Sequence, residues 1–319
     1  MAFVDVFNGD ADGICALLQL RLAQPREARL VTGVKRDIAL VAKAGIRAGD
    51  SVTILDVSMD KNHQALLDAL SLGATCFYVD HHYAGDIPDH EGLQALIDTA
   101  PEVCTSLLVN RHLDGAFSEW AVVGAFGDNL HRSARLAAQS LILAAVAMKG
   151  LANLGLLINY KGYGASIEEL HFRPDELYRL LSRYSWPGQF ISDDRVSFER
   201  LETGYRQDMA QALALDAEHK DSAVAVFVLP DADWSRRVSG VFGNDLANQS
   251  PARAHAVLTR KADGNFLVSV RAPLENRIGA DEICRQFPTG GGRKAAAGIN
   301  DLPARSLAEF VDTLSNYYR

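Results

Sequence analysis

The sequence predicts an α/β protein, with a largely parallel N-terminal sheet and its helices followed by a smaller C-terminal α/β domain. Three observations carry this. Short apolar strands alternate with helical patterns through the first third of the chain, acidic and imidazole residues cluster where those strands end, and strands reappear beyond a long helical stretch.

Taken in order, Phe3 to Phe7 reads as a strand and Ile14 to Leu22 as an amphipathic helix, joined by the turn Asn8-Gly9-Asp10-Ala11-Asp12-Gly13. Further strands are expected at Arg29 to Val34, Ser51 to Leu55, Ala74 to Val79 and Leu93 to Ile97, with helical patterns after the last three of these. From Thr105 to about Ser182 the pattern is helical. A long apolar helix opens at Ser133 or earlier, and Pro174 opens another. The polar, Pro- and Gly-containing stretch 186–195 reads as a linker between a domain 1–185 and a domain 196–319. The second domain begins with a helix from about Val196 to His219 and continues with strands at Ala223 to Leu229, Ala254 to Arg260 and Asn265 to Val270.

Composition narrows the function classes. With 319 residues, 48% hydrophobic and 23% charged, the chain has the make-up of a globular enzyme. A net charge of −8 argues against a surface that tracks long nucleic acid, because such binding rests on phosphate neutralisation. A small anionic ligand needs only a local basic pocket or a bound cation. Cys15, Cys76, Cys104 and Cys284 lie far apart with no C-x-x-C pair, as expected of reduced structural thiols. No basic-then-apolar signal precedes the first strand, and the apolar run from Ala134 to Leu157 is interrupted by Lys149, Gly150, Asn153 and Gly155, so a cytoplasmic protein without membrane partners is expected.

The chemistry is concentrated at strand ends: Asp10 and Asp12 after the first, Asp56 after the third, Asp80-His81-His82 after the fourth, with Asp128 available from a helix end. In open parallel sheets these positions converge on one crevice. Each Asp singly would pass for a helix cap. Brought together, the carboxylates repel one another unless divalent cations neutralise them, and an oxygen-rich set with imidazole suits Mn²⁺ or Mg²⁺ better than Zn²⁺. Two ions sharing one carboxylate would stabilise both the attacking and the leaving oxygen of a phosphoryl transfer.

Gly9-Asp10-Ala11-Asp12-Gly13, Leu55-Asp56, Asp80-His81-His82 and Gly127-Asp128 resemble the four successive motifs of the DHH phosphoesterase superfamily, and the run Gly290 to Gly298 resembles the glycine-rich signature of its DHHA1 domain. The resemblance implies a two-metal phosphoesterase of the nanoRNase and phosphoadenosine-phosphatase branch, acting in a cleft between the domains. Its implied cofactors are two divalent ions, Mn²⁺ first and Mg²⁺ second. Its implied substrate is a short linear oligonucleotide or dinucleotide cut to mononucleotides, with a phosphoadenosine-type bisphosphate or a cyclic dinucleotide as alternatives within the class. A nucleotide-binding regulator without catalysis and an RNA-binding accessory are the readings from other classes, and a homodimer is an assembly compatible with any of them.

Carried over residue by residue, the resemblance implies Asp10 and Asp56 on one ion, and Asp12, Asp56, His81 and Asp128 on the other, with Asp56 bridging. Catalysis would then rest on Asp56, His81 and His82. His82 would face substrate, since adjacent residues of an extended segment point to opposite faces, and Asp80 would orient its neighbours from behind. Gly290, Gly291 and Gly292 would bring backbone N–H groups to a phosphate, reinforced by a helix beginning after them, with Arg293 and Arg271 supplying charge. There are two departures. Many relatives place a ligand His where this chain has Val6, leaving Asn8 as the nearest polar residue and predicting a loosely held first ion. Arg293 stands where the family's motif usually has His.

Overall fold

A computed structural model describes residues 2–141 and 143–319, which divide into two units, one ending at Glu202 and one beginning at Thr203. In the first unit the elements run β1 (Phe3–Phe7), α1 (Ala11–Ala23), β2 (Arg29–Val31), α2 (Leu40–Lys43), β3 (Ser51–Leu55), α3 (Met59–Ser71), β4 (Thr75–Asp80), β5 (Leu93–Ile97), α4 (Thr105–His112), α5 (Ser118–Gly127), α6 (His131–Ala137), α7 (Ala145–Lys161), α8 (Pro174–Leu181) and α9 (Pro187–Asp193). A further helix, α10 (Arg195–Leu213), carries the division between the units. The stretch expected to be a linker is therefore mostly helical: Pro187 at the first position of α9 supplies a preset φ, and Phe190 is buried.

All five strands of the first unit run parallel in the order β2-β1-β3-β4-β5. The order reverses between β1 and β3, which makes the carboxyl ends of these two strands the natural ligand crevice. The strands are short β-branched and apolar runs because helices cover both faces of such a sheet. Val4, Val6, Val52, Ile54 and Tyr78 pack in one buried cluster with Leu40, Val41, Leu66 and Leu70 of α2 and α3. Val6 belongs to that core, so an imidazole at position 6 would enter an apolar layer.

Three local expectations are corrected. The helix after β1 is not amphipathic, since every residue from Ala11 to Arg21 is buried; Arg21 is accommodated by a bidentate pair with Asp5 and a bond to Thr53. No helix follows β4, where Gly85, Pro88 and Gly92 punctuate the connection to β5. The apolar stretch expected as one helix from Ser133 is broken after α6 by a 3₁₀ turn and an extended Leu141; Ile142 lies outside the described residues. Beyond the break, α7 lies against α5 so closely that a Cβ on Gly155 would sit 2.3 Å from the Val123 carbonyl oxygen.

The second unit continues with β6 (His219–Lys220), β7 (Val224–Leu229), α11 (Asp233–Gln249), β8 (Ala254–Arg260), β9 (Phe266–Arg271), α12 (Ala280–Cys284), β10 (Gly290–Gly292), β11 (Ala296–Leu302) and α13 (Leu307–Tyr318). Its six strands order as β10-β11-β9-β8-β7-β6, with only β7 and β8 parallel. The core gathers Val226, Ala256, Leu258, Val268, Ile299, Phe310 and Leu314 from sheet and helices. Among the described residues no helix is long and apolar enough to cross a membrane.

His255 sits inside this sheet at 2% exposure, with no hydrogen-bond partner for Nδ1. Burial, aided by the positive charges of Arg253 and Lys220, pushes its pKa down to about 4. The unfolded chain therefore binds a proton that the folded chain refuses. Stability is full above the ordinary value near 6.5 and is lost as pH falls toward 4, by about 2 kcal/mol after allowing for partial screening. Denaturant midpoints between pH 7.5 and 4 should show this slope in the wild type and a flatter one in His255→Leu. Equal slopes would remove His255 as the cause.

Candidate metal centre

Four of the five residues expected to hold metal meet around a single atom. His81 Nε2 lies 3.4 Å from Asp56 Oδ1, 3.8 Å from Asp12 Oδ2 and 3.9 Å from Asp128 Oδ2. The ring is held from behind, where Nδ1 approaches the Val103 carbonyl oxygen at 2.8 Å. A carbonyl only accepts, so Nδ1 carries a proton and Nε2 is the ring nitrogen turned toward the carboxylates, the orientation a ligating imidazole needs.

Topology positions each side chain. Asp10 and Asp12 follow β1, Asp56 follows β3 and His81 follows β4, three adjacent parallel strands ending at one edge. Asp10 is also the cap of α1, accepting from the backbone N–H groups of Asp12 and Gly13 at 3.0 and 3.1 Å. Asp12 accepts from Thr105 and Ser106 at 2.7 Å each, anchoring the first turn of α4 across the fold. Asp56 takes a left-handed φ of 58°, rare for a residue with a side chain, and its Oδ1 accepts from the Thr105 hydroxyl at 3.2 Å. Strain of this kind collects at functional sites because surrounding structure holds it in place.

Asp56 is the electrostatic focus. Burial, then the charges of Asp10, Asp12, Asp80 and Asp128, drive its carboxyl well above the usual carboxylate range. Burial acts the same way on Asp80, but the His82 and His81 imidazoles outweigh it and hold that carboxyl low. Asp80 Oδ1 accepts from His82 Nδ1 at 2.7 Å, and its Oδ2 is buried without a hydrogen-bond partner. With Asp56 driven up by its carboxylate neighbours, and carboxylate oxygens converging with an imidazole nitrogen, the set fits a divalent cation of the Mn²⁺ or Mg²⁺ type.

The opposite-face expectation for the two histidines does not hold. Their rings stand edge to face with centroids 4.6 Å apart, and ligand atoms of Asp56, His81 and His82 all lie within 4.8 Å of one another. The physical reason is that β4 ends at Asp80, so strand alternation stops one residue before His81. His82 keeps 30% of its side chain exposed, against 3% for His81.

Sequence reading missed Lys35. Its ammonium donates to Asp10 Oδ2 at 2.5 Å and to Asn159 Oδ1 at 3.1 Å, and lies 3.9 Å from Asp128 Oδ1. The one available signal was position: Lys35 follows β2, the neighbour of β1, and so falls at the same edge of the sheet. Asn8, expected near the metal, instead donates through Nδ2 to the Lys35 carbonyl oxygen at 3.3 Å, and its Oδ1 is buried without a partner.

In the second unit, the glycine run does not open a helix. Gly290 to Gly292 form β10, paired antiparallel to β11, and mutual backbone bonds between Arg293 and Ala296 close the hairpin. Arg271 uses three donors on Asn244 Oδ1, the Val270 carbonyl and the Gly240 carbonyl, leaving two of the five that a guanidinium carries. All four cysteines are buried and free. A surface depression lined by Arg21, Arg26, Phe77 and His112 lies by the amino-terminal halves of β3 to β5, at the other end of the sheet from the cluster.

Fold and site together define a two-unit α/β protein with an acidic and imidazole cluster at the switch point of its parallel sheet. Among solved structures, the chain is similar to exonuclease RecJ bound to manganese, with a TM-score of 0.59 and 17% identity over 99% of this chain and 90% of that one. It is similar to a pGpG-specific phosphodiesterase, PggH from Vibrio cholerae, with a TM-score of 0.57 and 15% identity over 100% of this chain and 99% of that one. RecJ from Thermus thermophilus in complex with Mn²⁺ gives a TM-score of 0.60 and 18% identity over 99% of this chain, which spans 52% of that longer protein. No protein-family model and no curated protein matches the chain.

Proposed function

We propose that this chain is a metal-dependent phosphoesterase that hydrolyses short linear oligonucleotides or dinucleotides to mononucleotides. The observation that carries the reading is the convergence of Asp12, Asp56 and Asp128 on His81 Nε2 at the carboxyl ends of adjacent parallel strands. The likeness in fold to a manganese-bound exonuclease and a pGpG-specific phosphodiesterase supports the same class.

In this reading Asp10, Asp12, Asp56, His81 and Asp128 would hold the divalent ions. Bound there, the ions supply Lewis-acid stabilisation of phosphoryl charge. The chain's own groups do the rest. The Val103 carbonyl keeps His81 in the tautomer that ligates, and Thr105 steadies Asp56. Asp80 binds His82 Nδ1 and thereby leaves Nε2, on the far side of a partly exposed ring, to meet a phosphoryl oxygen of the substrate. In the second unit Arg293 and Lys294 at the hairpin, with the remaining donors of Arg271, provide charge for a further phosphate.

The test is a panel of linear dinucleotides, cyclic dinucleotides, nucleotide bisphosphates and a ten-nucleotide strand, each incubated with purified protein and Mn²⁺. Linear two- and three-nucleotide substrates should give the highest kcat/KM. Because few phosphates are engaged, that value should fall less than about tenfold between 50 and 200 mM salt, whereas a strand held by six to ten phosphates loses ~10³ to 10⁵. Equal efficiency on the ten-nucleotide strand with a steep salt slope would move the chain to long-strand exonucleolysis.

A further inference from the structure

On its Asp10 side the carboxylate cluster already holds a lysine ammonium. Lys35 sits against Asp10, and it is built in: its backbone N–H donates to the Gly162 carbonyl at 2.7 Å, its carbonyl accepts from Asn8, and its side chain is only 21% exposed. The approach of this segment to the β1–α1 turn depends on glycine, since a Cβ on Gly9 would lie 2.1 Å from the Gly33 carbonyl oxygen. Asn159 and the Tyr163 ring, 5.4 Å from Nζ, complete the cradle. Lys35 Nζ also lies 3.9 Å from Asp128 Oδ1, whereas Asp56 Oδ1 meets the Thr105 hydroxyl and the His81 and His82 rings.

We infer that the Lys35 ammonium is the resident counter-ion of the Asp10 side of the cluster, and that a divalent ion takes that side only by displacing it. The two metal positions are then unequal. The position formed by Asp12, Asp56, His81 and Asp128 fills first, and the one that needs Asp10 Oδ2 fills later, in competition with Lys35. The inference rests on the metal-dependent reading above and adds an order of filling to it.

Metal-stripped wild type and Lys35→Met, which keeps most of the side-chain volume, are titrated with Mn²⁺ by calorimetry and by electron paramagnetic resonance. The wild type should bind one ion and then a second at least about tenfold more weakly, with the signal of a coupled ion pair only at high Mn²⁺. In Lys35→Met the second affinity should rise about tenfold and the coupled signal should appear at lower Mn²⁺. A readout on the wild type alone guards against misfolding of the variant. Acetylation of Lys35 by a limiting amine reagent, followed by mass spectrometry, should be slow without metal and quicken only past the first equivalent. Two ions of equal affinity in both proteins, or Lys35 reactivity that ignores Mn²⁺, would overturn the displacement while leaving the metal site intact. Failure of the wild type to bind Mn²⁺ would instead bring down the metal-dependent reading and this inference with it.

Discussion

Asp56→Asn should lose turnover by about a thousandfold or more at saturating Mn²⁺ while unfolding no more readily than the wild type in the absence of metal. The two effects have one cause. Asp56 is buried at 1% exposure among Asp10, Asp12, Asp80 and Asp128, so its charge burdens the metal-free fold and helps only when cations are bound. Asparagine is the informative replacement because it removes the charge and still tolerates the left-handed backbone at φ 58°. Alanine would add strain there and confuse the reading. His81→Ala should be nearly as damaging, since Nε2 is the atom on which three carboxylates converge. If folded Asp56→Asn keeps more than about a tenth of wild-type kcat, less than ~1.4 kcal/mol of the barrier depends on that carboxylate, and the shared-ligand role fails.

Gly290→Ala should destabilise the second unit by about 3 kcal/mol or more, lowering its unfolding transition by roughly 10 °C. A Cβ at Gly290 would lie 1.7 Å from the Cys284 carbonyl oxygen, a backbone atom at the end of α12 that cannot swing aside. Gly291 is different, because a Cβ there meets nothing within 4 Å. Gly291→Ala should therefore fold like the wild type. Any rise it causes in KM for a 5′-phosphorylated dinucleotide would report a binding role for the glycine strand, separate from packing. Arg293→Ala should raise the same KM and have much less effect on a dinucleotide lacking the phosphate. Thermal unfolding of Gly290→Ala at the wild-type temperature would sink the packing argument. Unchanged KM in both Gly291→Ala and Arg293→Ala would remove this hairpin from substrate binding.

Much of the fold and the identity of the acidic cluster were legible from sequence because both rest on local patterns. Apolar strands alternating with helices specify a parallel sheet, and every parallel strand ends at the same edge, so Asp10, Asp12, Asp56 and His81 had to converge wherever the helices lay. Strand bounds such as Ser51–Leu55 and Leu93–Ile97 follow directly from apolar runs closed by polar or turn residues.

Tertiary structure alone decided the rest. Lys35 is a solitary lysine in a loop, and only the seating of Gly33 against Gly9 brings its ammonium to Asp10. Asp12 looked like a local cap, yet its carboxylate anchors α4, 93 residues onward. His81 and His82 share one approach to Asp56 because the chain leaves β4 just before them, and the glycine run pairs with β11 instead of opening a helix. Periodicity records which face of an element is buried. It carries no information about which distant backbone comes within hydrogen-bonding reach, and in this protein those non-local contacts set the charge balance of the site.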